Sequence, residues 1–184
     1  MTKFIIEHLE PELFKWCLIE YKHISKIVGN KNLIITNLQK KDLKKLSKFA
    51  EVHTESAQKL NLKNICILDP DAPKTLSPKD KFDYLIFGGI LGDYPPRKRT
   101  KQELTIKGER RNLQKNQFPT DNAVCVAKMI TEGNPISKIP FADNIDLKMG
   151  PNESVEFPFR YVLIKKKPLI SKELVKLLKS GKQF

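Results

Sequence analysis

From Lys3 to Glu7 the apolar residues Phe4, Ile5 and Ile6 run together between charged neighbours, a pattern that predicts a first strand. Pro11 to Val28 reads as a helix, because Phe14, Leu18, Tyr21, Ile24 and Val28 fall on one stripe and Gly29 supplies the stop. Leu33 to Thr36 suits a short buried strand, Asp42 to Phe49 a basic helix and Ser56 to Leu62 another helical stretch. Asn64 to Leu68 and Phe82 to Phe87 are further strands, each ended by turn chemistry: Asp69-Pro70-Asp71-Ala72-Pro73 after one, Gly88-Gly89-Ile90-Leu91-Gly92 after the other. Such alternation predicts an α/β fold, a mainly parallel sheet with flanking helices.

Past the glycines, Pro95 and Pro96 forbid an immediate helix, since each lacks an amide donor and biases its predecessor toward extended backbone. Glu109 to Leu113 reads as a short strand, and Thr120 or Asp121 caps a helix running through Glu132. Ile139 to Lys148 is irregular or a strand. Phe157 to Ile164 is a strand despite Pro158, and Ser171 to Lys179 is a closing helix with a Ser cap and Glu173 in its first turn. No repeat or interdomain linker interrupts the pattern, so residues 1–184 are read as one domain.

Composition narrows the class. With 40% hydrophobic and 30% charged residues, the chain lies in the globular range. No apolar run approaches the length of a membrane helix, and the N-terminal residues alternate too early for a signal peptide, so a soluble protein of the cytoplasm is expected, with no membrane partner. Cys17, Cys66 and Cys125 are scattered, odd in number and without metal spacing, and are read as buried reduced thiols; no metal site is expected. The net charge of +13 attracts polyanions such as RNA. Lys40, Lys41, Lys44, Lys45 and Lys48 fit a solvated helix face, but all five arginines (97, 99, 110, 111 and 160) fall in the second half, where their planar forks suggest anion handling.

The glycine-rich turn carries the most chemistry. Glycines directly after a buried strand let the backbone approach a ligand, at the sheet edge where open α/β folds bind one. The spacing is G-G-x-x-G rather than G-x-G-x-x-G, Pro95-Pro96 block the helix that would hold a pyrophosphate, and no Walker lysine follows. Dinucleotide and triphosphate readings are therefore set aside, and ordinary turn glycines stand beside a ligand loop.

The string FDYLIFGGILGDYPPRKR from Phe82 to Arg99 resembles the signature of SPOUT-class methyltransferases, in the branch that methylates an arginine of a small-subunit ribosomal protein. FIIEHLE at Phe4 to Glu10, ILDPDA at Ile67 to Ala72 and EFPFRYVL at Glu156 to Leu163 match in the same order, and Arg110 to Ala123 resembles the third cofactor loop. Likeness is lower between the motifs, at the basic loop from Lys101 to Lys107 and at the short C-terminus. The resemblance implies a SPOUT fold with a C-terminal trefoil knot, and S-adenosyl-L-methionine held bent by three loops. Carried over, those loops are Leu68-Asp69-Pro70, then Phe87, Gly88, Gly89, Ile90, Leu91 and Gly92, and finally Asn112 to Ala123, including Leu113 and Thr120. It also implies a monomer, with a homodimer as the alternative.

In-line methyl transfer to a guanidinium requires carboxylates that orient the acceptor and take its proton. Glu7, Asp93, Asp121, Glu153 and Glu156 are the candidates because they sit in or beside the motif strings, although each also suits a cap or an ion pair. Asp93, which follows the glycine turn, is favoured as the catalytic acid, with Glu7 and Asp121 beside it. Arg97, Arg99, Glu153, Glu156 and Arg160 are the expected substrate contacts, and a ribosomal protein or ribosome-associated substrate the expected partner. The runner-up is an RNA methyltransferase whose base would stack on Tyr94, Phe118 or Phe159. A non-catalytic ribosome- or RNA-binding protein on the same fold is the third reading.

Overall fold

The computed structural model describes residues 2–92, 102–150 and 153–180. Its elements in chain order are β1 (Lys3–His8), α1 (Lys15–Val28), β2 (Leu33–Thr36), α2 (Leu43–Leu46), β3 (Glu51–Val52), β4 (Ile65–Leu68), β5 (Tyr84–Gly89), β6 (Glu109–Arg111), α3 (Thr120–Thr131), β7 (Phe141–Lys148), β8 (Ser154–Ile164), β9 (Lys167–Pro168) and α4 (Lys172–Lys179). The first six strands form one sheet in the order β3-β2-β1-β5-β4-β6, every pair parallel.

A parallel sheet is covered on both faces, so its strands read as continuous apolar runs whose alternate residues serve different cores. Phe4 and Ile6 of β1, Cys66 and Leu68 of β4, and Leu85 and Phe87 of β5 join Tyr21 and Ile24 of α1 and Val124 and Ile130 of α3 in the larger core. Ile5, Ile67 and Ile86 point the other way, into a smaller core closed by Ala57, Leu104 and Ile106. The Lys101 to Lys107 stretch, read from sequence as a basic loop, thus carries the apolar cover of the second face: Leu104 and Ile106 are buried.

The elements depart from expectation where polarity or proline hid them. Asp42 to Phe49 holds only a single short helix, α2, and Ser56 to Leu62 only a 3-10 turn over Ala57–Leu60. Ile139 to Lys148 is mostly strand, and β8 begins at Ser154, three residues before the expected start. β7 and β8 form an antiparallel ladder that β9 extends. Proline inside a ladder is tolerated at a bulge, because it has no amide to donate. Here the register shifts between Asp143 and Ile145, facing Pro158, and Asn144 takes a left-handed φ of 52°.

Candidate active site

The carboxyl ends of β4 and β5 open into one cavity of about 660 Å³, inside the range of about 300–1,000 Å³ usual for small-molecule sites. Leu68, Asp69 and Pro70 line it from the turn after β4; Phe87, Gly88, Ile90, Leu91 and Gly92 from the glycine turn; Leu113, Thr120, Asp121 and Ala123 from the segment that enters α3. Three stretches of chain, distant in sequence, therefore share one cavity.

Each stretch is pinned from behind. Asp69 accepts from the amide of Asp71 through Oδ1 at 3.0 Å and from Arg110 Nη1 through Oδ2 at 2.8 Å. The glycine turn is tied to the first motif by Glu10, whose Oε1 accepts from the Leu91 amide at 2.8 Å. Gly92 has to be small, since a Cβ there would lie 2.9 Å from the ring of Phe159, which also lines the cavity. The third stretch is held to β8: the Arg160 amide donates to the Gln117 carbonyl at 2.8 Å, and Arg160 Nη1 donates to Gln114 Oε1 at 2.8 Å.

Two expected cofactor contacts lie behind the wall. Gly89 faces the larger core, where an added Cβ would collide with the hydroxyl of Tyr21 and stand 2.9 Å from Ile6 Cγ2. Its smallness serves packing of α1 on the sheet. Asn112 braces two loops, donating to the Ala72 carbonyl and accepting from the Thr75 hydroxyl, and does not line the cavity.

The acids divide in the same way. Glu7 is buried away from the cavity, accepting from the Thr36 hydroxyl and, at 2.9 Å, from the Ala57 amide. This corrects its placement among catalytic residues: the carboxylate ties β1 to β2 and to the turn at Ala57. Glu153 and Glu156 are exposed on the β7–β8 ribbon and also lie off the cavity. Arg160 is a brace: its fork closes on both oxygens of Asp143, at 2.7 and 2.8 Å, and its guanidinium lies over the Phe141 ring. Arg110 and Arg111 are likewise taken up, by Asp69 and by Asp80 with Glu109, so the three described arginines are structural rather than free anion ligands. Asp93, Tyr94, Arg97 and Arg99 lie outside the described residues.

Asp121 does line the cavity, and it has a companion that motif reasoning missed. Glu20, from the buried side of α1, faces the same space at only 7% exposure. Its carboxyl is pushed up to about 8, first by burial and then by the charge of Asp121, against hydrogen bonds from the Asp121 and Thr120 amides and the Thr120 hydroxyl. Glu20 thereby caps the start of α3, where Pro119 offers no side-chain cap. Asp121 Oδ2 lies 2.7 Å from His23 Nδ1, and its Oδ1 accepts from the Asn122 amide and side chain. Trp16, Phe118, Phe159 and Tyr161 add aromatic surface. A sequence signal for Glu20 existed: with Cys17, Tyr21 and Ile24 it occupies i, i+3, i+4 and i+7 of the core stripe, an acid where an apolar residue belongs.

The family model for protein arginine N-methyltransferase SFM1-like proteins matches residues 3–183. The chain is 36% identical to protein arginine N-methyltransferase SFM1 of Saccharomyces cerevisiae, over 96% of this chain and 94% of that protein. It resembles the crystal structure of the yeast arginine methyltransferase SFM1 complexed with SAM at a TM-score of 0.90 and 36% identity, covering 97% of this chain and 90% of that one. A dual specific Trm10 from Thermococcus kodakaraensis shares the fold alone, at a TM-score of 0.59 and 18% identity over 75% of this chain and 96% of that one.

Proposed function

Because the chain belongs to the family of SFM1-like protein arginine N-methyltransferases, we propose that it uses S-adenosyl-L-methionine to methylate an arginine side chain of a ribosomal protein. The observation that carries this reading is the meeting, in one cavity, of three loops suited to the cofactor with two buried carboxylates suited to a guanidinium. Leu68, Pro70, the backbone at Phe87, Gly88 and Ile90 to Gly92, Leu113, Thr120 and Ala123 hold the cofactor in a cavity whose wall is apolar apart from main-chain groups and a few side chains. The residues fit: small glycines admit close approach, and no lysine or arginine ion pair fills the space between Glu20 and Asp121 among the described residues.

When bound, the cofactor supplies a methyl group already activated for in-line displacement. The protein's part is to hold the acceptor nitrogen in line, shut out water and take the proton that the nitrogen sheds. Glu20 and Asp121 are placed for both tasks: Asp121 keeps the catalytic role read for it, Glu20 takes the place of Glu7, and Asp93 lies outside the described residues. We further read the C-terminal half as threading a trefoil knot, the protein as a monomer of the cytoplasm, and its lysine-rich surface as the part that meets ribosomal RNA near the substrate protein. Among the described residues no helix is long and apolar enough to cross a membrane.

The RNA-methylating reading keeps one observation in its favour: Trp16, Phe118, Phe159 and Tyr161 could stack a base. Incubating the enzyme with tritiated S-adenosyl-L-methionine and ribosomes, then separating protein from RNA, decides between them. Label in protein that hydrolyses to methylarginine is expected; label in nucleosides would overturn the arginine reading, and failure to bind the cofactor would leave only a binding protein.

A further inference from the structure

Resting on the arginine reading above, we propose that Glu20 holds a proton beside the Asp121 carboxylate before the acceptor binds and releases it when the guanidinium enters, so that substrate binding exchanges a cation for a proton. Both acids are nearly shut from solvent, at 7% and 4% exposure, and both line the same cavity from different helices, α1 and α3. Two buried like charges repel strongly unless a cation or a proton stands between them. Among the described residues, Asp69, Asp71 and Lys115 also line this cavity; Asp69 is paired with Arg110, and Lys115 makes no ion pair with Glu20 or Asp121. On its own helix, Cys17 and Tyr21 are held neutral, since burial raises the thiol to about 12 and the phenol well above its ordinary value. From β8 the phenol of Tyr161 is raised in the same way, by burial and then by Asp121 and Glu20. His23 is the basic partner, and it bonds Asp121. What remains for Glu20 is hydrogen bonds from Thr120 and Asp121, which do not offset burial and the neighbouring charge: its carboxyl lies at about 8 and is protonated at neutral pH.

A guanidinium replaces that proton with advantages of its own. It carries a permanent charge and five N–H donors in a planar fork, so it can serve two carboxylates at once. Trp16 and Tyr161 in the same wall offer aromatic surface to its plane. With the arginine in place both acids are ionised, and the displaced proton has gone to solvent. In the transfer, the acceptor nitrogen's lone pair forms the new N–C bond while the S–C bonding pair leaves with sulfur; the extra proton on that nitrogen then passes to Glu20. The methylated guanidinium keeps a single positive charge, and the enzyme ends the cycle holding the one proton with which it began.

The test is carboxyl carbon-13 NMR of protein labelled at Glu and Asp and saturated with S-adenosylhomocysteine, using methylguanidinium as the probe. The Glu20 resonance is assigned by its loss in Glu20→Gln and independently in Glu20→Asp. The expected result is a Glu20 titration near pH 8, and a shift to the ionised position at pH 7 on adding methylguanidinium, accompanied by movement of the Trp16 indole signal. Methylguanidinium affinity should also weaken about tenfold for each pH unit below 8. If the probe moves the Trp16 signal while Glu20 stays protonated, or if Glu20 titrates in the ordinary carboxylate range without it, the proton exchange is overturned and the arginine reading stands. If cofactor-loaded protein shows no response of either Trp16 or Glu20 to the probe, the arginine reading itself is overturned.

Discussion

Glu7 and Glu20 lie in the same β-α unit, one in the first motif and one in the helix after it, and both are buried. The surroundings of Glu7 are closed: it accepts from the Thr36 hydroxyl and the Ala57 amide, and it is far enough into the sheet to miss the cavity altogether. Glu20 also caps an element, the start of α3, yet it keeps one side on the cavity and meets Asp121 there. The difference teaches that burial of an acid does not by itself signal chemistry. Both acids accept from protein donors, but those around Glu7 wall it off, whereas Glu20 borders the cavity beside a second acid, where a ligand can reach it.

The contrast can be broken most forcefully at Glu20. Glu20→Gln keeps shape and hydrogen-bonding capacity but cannot carry the charge, and it should lower methyl transfer by about a hundredfold or more with cofactor affinity preserved; single-turnover rates and calorimetry check the two halves. Glu7→Leu should show the mirror image, losing about 1–3 kcal/mol of stability because the Thr36 hydroxyl and Ala57 amide lose their buried acceptor. Urea unfolding measures that loss, while turnover per folded molecule should hold.

Gly89→Val extends the comparison to the wall itself. Because the added side chain meets Tyr21 and Ile6 rather than the cavity, overpacking should cost about 1–3 kcal/mol in unfolding. Cofactor affinity of the surviving folded protein should change less than it does in Gly88→Val, whose position lines the cavity; calorimetry on both variants provides the check.

The pH dependence of stability sharpens the pair further. Glu20 is raised in the folded protein from an ordinary value of 4.5 to about 8, so its contribution is complete below 4.5 and is lost as pH rises toward 8. Unfolding free energy of Glu20→Gln relative to the native chain should therefore increase from pH 5 to pH 8 and level off above it. The smallest expected effect is Arg160→Lys, which loses the fork on Asp143 and the bond to Gln114. A stability change within about 1 kcal/mol is expected from denaturation curves.

The sheet was legible because parallel strands covered on both faces leave unbroken apolar runs, as at Ile65 to Leu68 and Leu85 to Phe87. The ends of those runs located the cavity as well, since glycine and proline mark where backbone must turn at a sheet edge. What stayed hidden depends on neighbours distant in sequence. Gly88 and Gly89 look alike in the chain, yet only the position of Tyr21 shows that one borders the cavity and the other packs behind it. The clustering of arginines suggested anion handling, and only the partners of Arg110, Arg111 and Arg160, namely Asp69, Asp80 and Asp143, reveal these three as internal braces. Glu20 was concealed by helical averaging: a single acid on an apolar stripe hardly alters its periodicity.

The most direct measurement of the central claim is a crystal structure of the protein with S-adenosylhomocysteine. The ligand should lie between the Gly88 turn and Thr120, with its sulfur turned toward Glu20 and Asp121 across a gap that a guanidinium can fill. A ligand bound outside this cavity, or one whose sulfur faces away from both acids, would contradict the account.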